Sequence, residues 1–118
     1  MLMAAFIELC AGCVTSFNQQ VHVRVLDTDR NPIPGAEVEI SWHHGNPFWP
    51  KVGHESHMTD ADGRVDQMFW HGSLYHVRTV RKDGYTVAYD LSPVFDMPPE
   101  QQKSTKNEPI VIRMKKTQ

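Results

Sequence analysis

From Val21 onward, apolar residues recur at every second position. In "VHVRVLD", Val21, Val23 and Val25 fall on one side and His22 and Arg24 on the other. That spacing predicts a half-buried strand, because successive strand side chains point to opposite faces. "AEVEISWHH" repeats the pattern, with Val38, Ile40 and Trp42 predicted inward and Glu37, Glu39 and Ser41 outward. "HESHMT", "RVDQMFW", "SLYHVRTV", "YTVAYDL" and "IVIRMKK" read as five further strands. In the fifth, Tyr75, Val77 and Thr79 share a face. In the seventh, Ile110, Ile112 and Met114 point inward and Arg113 outward.

Turn chemistry separates these segments. "DTDRNPIPGA" has two prolines that fix φ, followed by Gly35. "DADG" is a tight-turn signal with Gly63 free to take positive φ. "GNPFWPKVG" and "RKDG" break the chain again, and "SPVFDMPPEQQKSTKNEP" is a long, proline-rich connection. Seven short strands with such punctuation predict an all-β fold, a seven-stranded antiparallel β-sandwich of the two-sheet, Ig-like kind. A short apolar segment precedes it.

Four segments in order carry a resemblance. "VRVLDTDRNPIPGAEVEI", "TDADGRV", "YHVRTVRKDGY" and "IVIRMKK" resemble the opening hairpin, following turn, strand-and-turn and closing strand of carboxypeptidase-regulatory-like domains. The resemblance covers roughly residues 20–115. It implies a transthyretin-like sandwich that serves as a non-enzymatic accessory or surface module, often in bacterial envelope lipoproteins. The enzymatic relatives of the transthyretin fold end in a Tyr-Arg-Gly-Ser tail. This chain ends "MKKTQ", so their hydroxyisourate hydrolysis is not carried over.

Composition narrows the picture. The 118 residues fit one domain, and the net charge of −2 leaves no basic footprint for nucleic acid. Both cysteines lie in "CAGC", Cys10 and Cys13. A thioredoxin-like couple needs a βαβ context, and a zinc site needs two more ligands; neither follows here. "CAGC" resembles a bacterial lipobox, with small Ala11 and Gly12 before Cys13. It departs from that pattern at Cys10, where Leu is usual, at Glu8 inside the apolar run, and in lacking Lys or Arg before it. The expected organisation is a signal segment over 1–13, a linker over 14–20 and the sandwich over 21–116. Cys13 would be the lipid anchor, holding the domain to the membrane of a bacterial envelope and facing the periplasm or the exterior.

Chemistry-bearing residues remain. A hairpin centred near Trp49 would set His43 opposite Glu55 and place His43, Glu55 and His57 on one outward face. Two imidazoles and a carboxylate are a candidate metal set, the alternative being solvated histidines around a hairpin. Phe48 and Trp49, between Pro47 and Pro50, are two large rings on a stiffened loop. They are candidates to bind a glycan or a protein, or else to close one end of the core. "DADGR" has too few oxygen ligands for calcium. No nucleophile elbow or phosphate loop is present in the sequence. No enzyme activity and no cofactor are expected.

Overall fold

The computed structural model describes residues 20–43, 52–68 and 74–117, and the side chains of His43, Leu74 and Glu100 are not among those described. Cys13, Phe48 and Trp49 lie outside these residues. The strands are β1 (Gln20–Leu26), β2 (Glu37–His43), β3 (Val52–Met58), β4 (Arg64–Met68), β5 (Leu74–Arg81), β6 (Tyr85–Val87) and β7 (Ile110–Lys116). They form two sheets, ordered β4-β1-β7-β6 (sheet A) and β3-β2-β5 (sheet B).

The core lies between the inner faces. Val21, Val23 and Val25 of β1 and Ile112 and Met114 of β7 meet Val38 and Ile40 of β2 and Tyr75, Val77 and Val80 of β5, all buried. The two-residue alternation therefore did select the core face of β1, β2 and β7, although Ser41 of β2, expected outward, is also buried. Tyr85 is partly buried against the same cluster.

The turns explain how the strands enter. Gly63 sits at φ 72°, and a Cβ there would come within 2.5 Å of the Val25 carbonyl oxygen. The close approach lets Val25 N–H donate to Gly63 O at 2.7 Å, so the β3–β4 turn packs on β1 where only glycine fits. Thr59 is buried at the same junction. Its hydroxyl donates to Ile33 O at 2.7 Å and accepts from Ala36 N–H at 2.8 Å. One side chain thus satisfies two backbone groups of the proline-rich turn.

Four expectations are corrected. First, the sandwich is not wholly antiparallel: β1 and β7 pair in parallel, Val23 opposite Ile110 through Leu26 opposite Arg113. β1 and β7 are the first and last strands, with five others between them, so no short turn constrains them to run antiparallel. Second, β5 does not alternate throughout. Glu39 pairs with Thr79 and Ile40 with Val77, so Arg78 is an extra residue at a bulge. Beyond it the phase flips: Val80 is buried and Thr79 turns out to meet Glu39. Third, the β2–β3 register is offset by three residues from the expected hairpin. His43 pairs with Val52, Ile40 with Glu55 and Val38 with His57. An odd offset exchanges the faces of a strand, so Glu55 and His57 lie on the side that the core uses, at the open edge of sheet B.

Fourth, the expected sixth strand stops early: β6 ends at Val87, and Tyr89–Leu91 is the first of three short 3-10 turns in the connection to β7, followed by Pro93–Asp96 and Pro99–Gln101. The connection leaves the end of β6 beside β7, where Ser92 Oγ accepts from Arg113 N–H at 2.7 Å. It then crosses to β5. Gln102, only 2% exposed, accepts from Val77 N–H through Oε1 at 2.7 Å and donates through Nε2 to Val94 O at 2.6 Å. Finally Ser104 Oγ takes the His22 N–H at 2.8 Å, ahead of the point where β7 begins to pair with β1. The crossover thus supplies the hydrogen bonds that missing neighbour strands would have made.

Candidate binding groove

The bulge in β5 and the start of the crossover together build a groove of about 450 Å³ on the side of the sandwich. Its walls are Glu39 of β2, Arg78, Thr79, Val80 and Arg81 of β5, Thr86 and Val87 of β6, and Tyr89 and Phe95 of the crossover. Each wall follows from local structure. The extra residue at the bulge brings Arg78 and Thr79 to the groove in succession. The 3-10 turns after β6 carry Tyr89 and Phe95, whose rings meet edge to face with centroids 5.8 Å apart. Phe95 leans on the core, while Tyr89 is 64% exposed.

The polar side of the groove is ordered. Glu39 is the anchor: Thr79 Oγ1 donates to its Oε2 at 3.1 Å, and Arg78 Nη1 approaches its Oε1 at 3.7 Å. Arg81 Nη2 donates to Glu37 Oε1 at 2.9 Å. Two guanidinium groups, two threonine hydroxyls and a largely covered carboxylate thus face a pair of aromatic rings. This combination suits a ligand with both flat apolar surface and hydrogen-bonding groups. A second depression of about 410 Å³, between Gly35, Met58 and Lys82, shares Arg81 as a wall but has no aromatic residue.

A polar cluster stands on the outer face of sheet A. His22 Nδ1 meets Asp66 Oδ1 at 2.6 Å across the β1–β4 pair, and Nε2 faces Gln20 Oε1 at 3.2 Å. Arg64 donates to both Asp66 oxygens at 3.2 Å and to Lys106 O at 2.9 Å. The hydrogen bonds from Arg64 hold the Asp66 carboxyl below its ordinary value of 3.8; burial opposes this, and His22 adds to it. The hydrogen bonds to Asp66 in turn raise Arg64 above its ordinary value. An Asp–His pair invites comparison with a hydrolase dyad, but Ser104 Oγ is engaged with the His22 backbone N–H and the free side of the ring faces Gln20. The cluster clamps β1 to β4.

Of the residues singled out by sequence, Glu55 and His57 do come together, His57 Nε2 lying 3.3 Å from Glu55 Oε2. His43 is opposite Val52, three positions from Glu55 along the pair. Among the described residues no group of three or more His, Cys, Asp or Glu side chains is placed to hold a metal ion. Sequence reasoning missed the groove. Its two aromatic residues fall on either side of a boundary in the sequence: Tyr89 reads as the end of the sixth strand and Phe95 as part of a proline-punctuated connection, while Arg78 reads as an ordinary outward strand residue.

No family model matches the chain, and no curated protein is significantly similar to it.

Proposed function

We propose that the chain is a non-catalytic β-sandwich accessory module of the carboxypeptidase-regulatory-like type. In this reading it is tethered to a bacterial envelope through Cys13 and binds an oligosaccharide or an extended peptide in the Arg78–Tyr89–Phe95 groove. The observation that carries the binding role is the groove itself: an exposed tyrosine ring beside two arginines held by glutamates. Carbohydrate and peptide chains both offer what such a wall takes, a flat apolar face to stack on the ring and acceptors for the guanidinium groups. The order of the turn and strand motifs and the seven strands in sheets of four and three support the family reading. Small Ala11 and Gly12 before Cys13, followed by a polar linker, support the tether. Two or three acyl chains on that cysteine suffice for stable anchoring.

Glycan and peptide arrays with the native protein and a Tyr89→Ala variant test the binding role. Tyr89 is mostly solvent-exposed, so its loss leaves the fold intact; the expected result is a ligand bound by the native protein and weakened at least about tenfold in the variant. A ligand bound equally by both proteins overturns the assignment. The tether is tested by intact mass of the precursor expressed in a lipoprotein-competent host. Unmodified Cys13 still joined to residues 1–12 overturns that part alone.

A further inference from the structure

The outer face of sheet A has an uneven charge pattern. At its β4 rim, Arg64 and His22 are answered by Asp66, and Asp60 and Asp62 add to the field that holds Arg64. Over β1 and β7 the balance is lost. Arg24 pairs in register with Arg64 on one side and Val111 on the other, and β7 alternates to put Arg113 and Lys115 on the same face as Val111. Among the described residues, Arg24, Arg113 and Lys115 have no ion pair within 4.0 Å, and Arg24 Nε is buried without a hydrogen-bond partner. Like charges on neighbouring strands cost stability, yet the chain gathers them on one face while its total charge is −2. Val111 is 39% exposed among them, and Lys115 is exposed.

We infer that this strip, Arg24, Val111, Arg113 and Lys115, docks on an anionic phospholipid surface. Two observations select that occupant. The first is charge: phosphodiester headgroups match guanidinium donors in geometry, and an anionic bilayer attracts each basic side chain at its surface. The second is reach. β1, which runs down this face, starts at Gln20, seven residues after Cys13, and seven extended residues span at most about 25 Å. A domain held that closely presents a face to the bilayer, and this is the face with unanswered positive charge. The orientation rests on the lipid-anchor reading; the affinity of the strip for anionic lipid does not.

The test uses the unlipidated full chain and co-sedimentation with phosphatidylcholine vesicles, with and without phosphatidylglycerol. The neutral vesicles account for any partitioning of the apolar residues 1–13. Each basic side chain is worth roughly fivefold in partitioning, so phosphatidylglycerol is expected to raise binding by roughly fiftyfold or more at low salt. An Arg113→Gln/Lys115→Glu variant loses most of that gain. Lys115→Glu alone, at an exposed site, loses roughly fivefold or more with an unchanged unfolding midpoint. Equal binding to both vesicle types overturns the inference, as does anionic binding that Lys115→Glu leaves unchanged. Binding to a single-stranded oligonucleotide as tight as to the anionic vesicles also overturns it. Because the protein carries no lipid in this assay, a failure here and a failure of the Cys13 tether are read separately.

Discussion

The two edges of sheet B solve the same problem in opposite ways. β3 and β5 each flank the central strand β2, and each leaves a row of backbone groups without a strand partner. At β5 the crossover covers the edge, with Gln102 taking the Val77 N–H and tying it to Val94 O. Among the described residues β3 has no strand beyond it, and its middle, His54 to His57, is polar and largely exposed, with Glu55 and His57 together on one side. Covering an edge and charging an edge are both known ways of preventing strand-to-strand association. The covered edge has a second use, because the segment that seals it also carries Tyr89 and Phe95 to the groove. The open edge supplies no such wall.

Breaking the covered edge has the largest expected effect. Gln102→Ala strands the Val77 N–H and the Val94 carbonyl in the interior, each worth about 1–3 kcal/mol when left unpaired. Chemical denaturation is expected to show a loss of about 3 kcal/mol or more. A loss below about 0.5 kcal/mol would mean that the crossover does not depend on this side chain. Thr59→Val comes next. It keeps the shape of the residue but removes both bonds to the turn before β2, for about 2 kcal/mol by the same measurement.

The open edge answers to different changes. Gly53 lies opposite Trp42, and a Cβ there would come within 2.3 Å of the indole. Gly53→Ala is expected to displace the ring and cost about 1–2 kcal/mol, with a shift in tryptophan emission. Glu55→Val with His57→Val leaves the unfolding free energy within about 0.5 kcal/mol but raises self-association, read by light scattering, because it removes the charge that protects the edge.

The clamp on sheet A has a small, pH-dependent effect. Asp66 has a folded pKa below its ordinary value of 3.8, so its contribution is fully present above that value and is lost as pH falls through the lower, folded pKa. The carboxylate is about a third exposed, and solvent screening limits the contribution to about 0.5–1 kcal/mol. Asp66→Asn is expected to lose that much at neutral pH and to converge with the native protein in strong acid. A difference that persists undiminished at low pH would assign the loss to packing.

What the sequence made legible was local. Alternation placed β1, β2 and β7 with their core faces, and Gly63 and the two prolines marked turns, because those signals sit within a few residues of the structure they cause. The features that were not legible depend on distant partners. Arg78 is a bulge residue only because Ile40 and Glu39 pair with Val77 and Thr79 across the sheet. The offset of β3 follows from its pairing with β2, and with it the separation of His43 from Glu55. The parallel β1–β7 pair joins the two ends of the fold, with five strands between them in the chain. Gln102, in a polar run, has no local mark of burial. The groove inherits this: its arginines come from the bulge and its rings from the crossover, so neither half announces itself alone.

Amide hydrogen exchange at Val77 tests the covered-edge account most directly. Its N–H is expected to be protected in the native protein to a degree comparable with the amides of central β2, and to exchange at least about tenfold faster in Gln102→Ala. A Val77 amide that exchanges in the native protein as fast as the open-edge amides of β3 would contradict the claim that the crossover seals β5 and builds the groove upon it.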